Sequence, residues 1–339
     1  MKAITVTSKH TLELAEVSVP SPGDYQALVK IEACGICSTT DREIIKGTQP
    51  YHNQYPCVLG HEAVGKVVEL GRKAKCLKIG DRVTRPSSGA RDAFACGWGG
   101  FAEYGLVIDR RALMADGDHS LDNDYTALRQ NVVPPDIDVK AAVLSIALGE
   151  TASWAWQLPH PGGKDVVVCG TGVAGLTIAL WWKLAGARTV VVIGRRDERL
   201  ALAKELGADF VVNSTTSDPA KAVRELLPNG AELFAEAVGQ RSMLDLGLAV
   251  ARPGGTIAIY GVPEKQEYDL HLSRGCGDFK IVSVPANEHL GYSWACDMIR
   301  RNVIPVDKLL SHEFALSEFQ AAFAAVDAGK VVKGMIRLS

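Results

Sequence analysis

The chain has 339 residues, 47% of them hydrophobic and 22% charged, with a formal net charge of −2. That length is long for one core and points to two domains. The near-neutral charge gives no reason to expect nucleic acid or an anionic membrane as partner, and no run approaches the ~18 apolar residues of a membrane span.

Residues 1–34 read as short strands punctuated by Pro20, Pro22 and Gly23. The opening stretch alternates like a strand and lacks the apolar core of a signal peptide. The eight cysteines are scattered and form no closely repeated framework, which points to a reducing cytoplasm. Residues 27–33 (ALVKIEA) alternate as a half-buried strand does. Next come Cys34-Gly35-Ile36-Cys37, then Thr39-Thr40-Asp41-Arg42-Glu43, and a loop rich in Gly, Pro and His. Gly60-His61-Glu62 opens a strand, Gly80-Asp81-Arg82-Val83 closes a turn, and Gly99-Gly100-Phe101-Ala102-Glu103-Tyr104 starts a further strand. The first third is mostly β. A polar segment, 109–131, follows with few apolar anchors and reads as a surface excursion, with a flap over substrate or a subunit contact as the sharper alternative.

Residues 164–200 carry the plainest signal. A β-branched run (166–168) breaks into Gly170-Thr171-Gly172-Val173-Ala174-Gly175, a helical apolar stretch follows, and a second run ends in Gly194-Arg195-Arg196. This is strand, glycine turn, helix and strand with dinucleotide-binding spacing. Gly170 allows the turn, Gly172 the approach of a pyrophosphate, and Gly175 the packing of helix on sheet. The phosphates then meet unpaired N–H groups at a helix N-terminus. About 20 residues beyond such a fingerprint, an acidic residue normally accepts the ribose hydroxyls; here Gly194 stands in its place. Glycine leaves room for a 2′-phosphate and the Arg195 and Arg196 guanidinium groups suit it, so the expected cofactor is NADP rather than NAD. The plainer alternative is that both arginines solvate a surface turn beside Asp197 and Glu198.

These motifs, in this order, together with Gly254-Gly255 to Gly261 and the tail Gly329-Lys330-Val331-Val332-Lys333-Gly334, resemble the medium-chain dehydrogenase/reductase superfamily on its zinc alcohol, polyol and sugar dehydrogenase side. The stretch from Thr40 to Ile44 and the arginine pair are similar to archaeal glucose dehydrogenases. The resemblance runs nearly end to end. It implies an α/β fold with a GroES-like, mainly β catalytic domain (1–150), a doubly wound parallel-sheet Rossmann domain (151–285), and a return to the catalytic domain (286–339). It also implies a homodimer or homotetramer, with 279–284 as a candidate pairing edge, and adds Val238, Gly261 and Lys333 to the cofactor-binding set.

The resemblance implies one catalytic zinc with Cys37 and His61 as ligands; a thiolate and an imidazole suit that ion. The third ligand stays open between Glu62 and Glu150. Neighbours on a regular strand point to opposite faces, so Glu62 serves only if the backbone is irregular there. The family's other ligand position falls on Ala147, which cannot coordinate, with Glu150 three residues later. Residues 85–100 hold Cys96 alone, too few thiolates for a local structural zinc, and none is expected. Cys34 reads as packing. The chain carries one residue more than the family between Cys37 and Asp41, so Thr40, with Thr39 as alternative, is the expected hydroxyl of the proton relay. Glu43 stands where many relatives place a relay histidine; a solvated helix-face charge is the alternative.

The implied activity is hydride transfer between NADP(H) and a small polar alcohol or carbonyl compound: a secondary alcohol, polyol or sugar-like substrate. Two other readings compete, a zinc-free NADPH-dependent quinone or enone reductase and a non-catalytic NADPH-binding protein. Arg91, Asp92, Trp98, Trp154 and Trp156 fall in stretches that suit the substrate region, although Trp154 and Trp156 read better as packing. His52, His119, His160, His271, His289 and His312 have no motif partner.

Overall fold

A computed structural model of the chain describes residues 1–49, 52, 54–262 and 277–338. His271 lies outside the described residues. The chain divides into two compact units, Met1–Ile146 with Tyr292–Ser339, and Ala147–Gly291. Both divisions fall inside helices, Val139–Trp156 and Glu288–Arg300.

The first unit is built on the strand Gln26–Ile36, whose 11 residues are buried along most of their length. It pairs antiparallel with Glu62–Leu70, Tyr104–Ile108 and Gly334–Arg337. Arg82–Thr84 and His312–Ala315 complete a six-stranded sheet. A four-stranded sheet runs Leu12–Glu16, Lys2–Val6, Cys57–Val58, Ala95–Cys96. Ile4, Ile31, Cys34, Leu59, Phe101 and Ile336 are buried together. Cys34 is therefore core, and burial pushes its thiol well above its ordinary pKa.

The polar segment 109–131 is more anchored than its composition suggests. It folds as two short helices, Arg110–Ala115 and Tyr125–Leu128, capped by the Asp109 and Asp124 carboxylates. Asp109 also accepts from the backbone of Cys76 and Leu77. Ala112, Leu113, Ala127 and Arg129 are buried, and the Arg129 guanidinium lies 3.6 Å over the Tyr125 ring. A few small apolar groups and two capped turns suffice, because each cap satisfies backbone donors a short helix leaves open.

The second unit is a parallel six-stranded sheet. Its strands run Phe210–Asn213, Thr189–Gly194, Asp165–Cys169, Ala231–Glu236, Ala251–Ile259, Phe279–Ser283. Counted along the unit this is the order 3-2-1-4-5-6 of a doubly wound dinucleotide-binding sheet. Its central strands read as continuous apolar runs because helices cover both faces. Trp154 stacks on Trp182 and meets Tyr260 edge-on inside the unit. Trp156, read from the sequence as core or subunit packing, is 46% exposed and so is not part of the core. The strand Phe279–Ser283 is the outermost on its side.

Asp165, at the foot of the first strand, accepts from Arg188 Nε at 2.8 Å. That bond holds its carboxyl below the usual value, so its stabilisation is present above the ordinary aspartate range and is lost as pH falls through the lowered one. Arg188 is largely exposed, so solvent screens the pair and its contribution is small. Asp165→Asn should lower the melting temperature slightly at neutral pH, and the gap to wild type should close as the pH falls through the lowered carboxyl range. A gap independent of pH would mean the pair contributes no charge stabilisation.

Candidate active site

The site begins at Gly60. Its φ of +100° and the Phe101 ring and backbone filling the space a Cβ would need make it a position only glycine takes comfortably. The turn sets His61 just before the strand Glu62–Leu70, and the strand alternation does not yet apply to it. Cys37 follows the end of the strand Gln26–Ile36. The ligand atoms of Cys37, His61 and Glu62 all lie within 4.8 Å of one another. A thiolate, an imidazole and a carboxylate converging this closely fit Zn²⁺.

Around this trio lies a shell of buried charge. Asp41, fully buried in the helix Thr40–Lys46, accepts from the Cys37 backbone N–H at 2.8 Å. Its other oxygen is 3.4 Å from His61 Nδ1, and His61 Nε2 lies on the Glu62 side, 3.9 Å from Glu62 Oε1. Burial would lower the His61 pKa, but Asp41 and Cys37 outweigh it and push the imidazole up to about 10. Glu62 faces the Lys333 ammonium, both side chains buried. Burial would raise the Glu62 carboxyl; Lys333, His61 and Arg85 together hold it below its ordinary range. Lys333 is likewise opposed by burial and raised on balance by Glu62 and Cys37. Gly35 sits opposite Glu62 in the strand register, and a Cβ there would collide with Glu62 Oε2 and crowd Lys333. The glycine of the Cys-x-x-Cys stretch thus clears space for an ion pair.

Thr39 stands at the N-cap position without a side-chain capping bond, and Thr40 opens the helix Thr40–Lys46. Glu43, on its first turn, is half-buried and accepts from Gln49 Nε2 at 3.1 Å; burial raises its carboxyl. It is not simply a solvated charge. Arg91 donates to the carbonyls of Ser88 and Ser18, and Asp92 accepts from Ser18, so both serve local structure. Trp98 has φ +77°, its ring centroid is 5.8 Å from that of His61 and 4.9 Å from that of His52, and its buried Nε1–H has no acceptor among the described residues. His52, without a partner in the sequence reading, therefore lies near the metal-ligand candidates. His119 pairs with Asp122.

The second unit holds the glycine turn. Gly170 has φ +123°, Gly172 is the N-cap of the helix Val173–Leu184, and a Cβ on Gly175 would strike the Gly170 carbonyl. Gly194 ends the second strand, with Arg195 exposed and Arg196 half-buried beyond it. Sequence reading missed Arg199, which is buried with Nη1 3.4 Å from the Thr171 carbonyl. It also missed Glu236, a buried carboxylate that accepts from the N–H groups of Val238 and Gly239 at 2.8 Å each. The Glu236 carbonyl accepts from Gly261 N–H, so one residue ties together the two loops that bear Val238 and Gly261. Glu150 belongs to this unit, whereas Cys37, His61, Glu62 and Lys333 belong to the first.

Known families match both units. The alcohol dehydrogenase GroES-like domain matches residues 23–116, and the zinc-binding dehydrogenase domain matches 170–282. An alcohol dehydrogenase of Geobacillus stearothermophilus is 32% identical over 273 residues, covering 78% of each chain. An L-threonine 3-dehydrogenase of Pyrococcus furiosus is 29% identical across 100% of this chain and 99% of its own. A solved zinc-binding dehydrogenase from Sinorhizobium meliloti, bound to NADP, is 26% identical with a TM-score of 0.81, covering 99% of this chain and 98% of its own. The chain belongs to the zinc-dependent medium-chain dehydrogenase superfamily. Its enzymatic class is that of the NAD(P)-dependent dehydrogenases of CH–OH groups.

Proposed function

We propose that the protein is a zinc-dependent dehydrogenase that transfers hydride between NADP(H) and a secondary alcohol, polyol or sugar-like substrate. The observation that carries this reading is the convergence of Cys37, His61 and Glu62 within 4.8 Å. It favours Glu62 over Glu150 as the third ligand and a metal-dependent oxidoreductase over a zinc-free reductase. Zinc bound there supplies Lewis acidity toward a substrate hydroxyl, and the nicotinamide supplies the hydride acceptor.

The chain's own residues do the rest. Asp41 fixes the Cys37 backbone and faces His61 Nδ1, which orients both donors. Lys333 balances the Glu62 charge, so three anionic or neutral donors do not repel one another unchecked. The Thr40 hydroxyl takes the substrate proton, and Glu43, whose carboxyl burial raises, is the next acceptor toward solvent. Gly172 and the N-terminus of the helix Val173–Leu184 receive the pyrophosphate. For the 2′-phosphate, Arg195, Arg196 and Arg199 supply the cations. Arg199 is pushed down by burial and by the like charge of Arg196, and an anion between them relieves that repulsion. Val238 and Gly261, tied through Glu236, would complete the residues that hold the cofactor. The outer strand Phe279–Ser283 is the face on which copies pair into a dimer or tetramer.

Metal analysis of protein purified without added metal should return about one zinc per chain. A polyol and sugar panel should then be oxidised faster with NADP than with NAD. Absence of zinc with retained reduction of enones or quinones by NADPH would replace this reading with the zinc-free one.

A further inference from the structure

We infer that Arg85 is a positioning residue that makes His61 and Glu62 face one point, and that the segment 109–131 is its support. The inference rests on the metal-site reading above. Adjacent residues on a regular strand diverge, yet the ligand atoms of His61 and Glu62 converge. Gly60 lets the chain turn, but something must hold the turned peptide. Arg85 does so on both sides of Glu62. Its backbone N–H donates to the Ala63 carbonyl at 2.7 Å, and its guanidinium Nη1 donates to the His61 carbonyl at 2.7 Å. The Arg85 side chain is buried, so the bond to the carbonyl is shielded from competing water.

Reaching both carbonyls requires an uncommon backbone. Arg85 has φ +57°, a left-handed conformation that side chains with a Cβ avoid and that persists only where the surroundings enforce it. The enforcement comes from the far leg of 109–131. Gln130 Nε2 donates to the Arg85 carbonyl at 3.2 Å, while Gln130 Oε1 accepts from the Ile108 N–H at 2.8 Å. The Thr84 N–H donates to the Asn131 carbonyl, the Asn131 N–H donates to Thr84 Oγ1, and that hydroxyl donates to the Arg129 carbonyl. Named hydrogen bonds and the short covalent steps between them thus connect Gln130 and Asn131 to the His61 carbonyl. An excursion with no ligand of its own would set the metal geometry.

The test measures zinc affinity by competition with a chromophoric chelator, and the melting temperature of the metal-free protein, for wild type, Arg85→Met, Arg85→Lys, Arg85→Gly and Gln130→Ala. Arg85→Met should weaken zinc binding by about 10–100-fold. Lysine should recover only part of this, because its single ammonium lacks the planar reach of guanidinium. Arg85→Gly separates positioning from folding, since glycine adopts the left-handed backbone freely but donates nothing to His61. It should melt no lower than Arg85→Met and still bind zinc as weakly. Gln130→Ala should weaken zinc several-fold, on the order of one lost support. Wild-type affinity in Arg85→Gly would overturn the positioning role, and wild-type affinity in Gln130→Ala would overturn the support role. A wild-type protein that binds no zinc would overturn the metal reading, and the inference with it.

Discussion

Cys37→Ser is expected to lower kcat/KM for alcohol oxidation by about three orders of magnitude. Lewis-acid polarisation by a bound metal contributes several kcal/mol to such a reaction, and each 1.36 kcal/mol is tenfold in rate. A serine hydroxyl stays protonated near neutral pH and replaces a thiolate poorly as a zinc ligand. The fold should hardly notice the change. Cys37 is only partly buried, and the bond it makes to Asp41 uses its backbone N–H, which serine keeps. The metal-free protein should therefore stay folded, losing only what the thiol contributes beside His61 and Lys333, while zinc content falls. Unchanged alcohol oxidation in the variant would remove Cys37 from the site and the zinc mechanism with it.

The second large effect concerns coenzyme choice. Gly194→Asp is the obvious change to convert an NADP enzyme into one that accepts NAD, and by itself it is expected to fail. A Cβ on Gly194 would run into the Thr171 side chain, with Thr171 Oγ1 2.8 Å from the Cβ position and Leu200 next at 3.2 Å. Thr171 is buried and β-branched, so it turns aside reluctantly. Overpacking of this kind costs about 1–3 kcal/mol. Gly194→Asp should thus unfold at a lower temperature, lose NADP affinity by at least about tenfold through the like charge near the phosphate, and gain little NAD binding. Adding Thr171→Ala removes both colliding atoms. The double variant should regain most of the lost stability and be the one that binds NAD. If Gly194→Asp alone is as stable as wild type and binds NAD, the steric coupling is wrong. If wild type already prefers NAD, the arginines are ordinary surface residues and the NADP reading falls, whatever the stabilities show.

Gly194 shows how a residue's local setting can be legible in the chain while its packing is not. Its position and the arginines after it were legible as coenzyme chemistry, because strand, glycine turn, helix and strand are contiguous in the chain and each is specified by local periodicity. That Thr171 occupies the space beside it depends on two strand ends lying side by side, which no local pattern encodes. The same division runs through the candidate metal site. Cys37 and Gly60-His61-Glu62 were legible by motif, and the condition on Glu62, an irregular backbone, followed from strand geometry alone. Which residue meets it was not legible.

The sequence by itself determined the mainly β first third and the run of strand, glycine turn, helix and strand that ends in Arg195 and Arg196, since these rest on spacing within short stretches. The two-unit layout and the expectation of Cys37 and His61 as donors came instead from the resemblance that those motifs carry. Only the tertiary structure decided that Lys333 lies on Glu62, that Gly35 clears room for that pair, and that Arg85, just past the strand Arg82–Thr84, donates to the His61 carbonyl. It also decided that Trp156 is exposed and that 109–131 is anchored by its caps. The physical reason is common to all of them. Periodicity states which face a residue takes on its own element, but the partner on that face is set by strand register and by the order of strands in the sheet, and these form only when distant segments fold together.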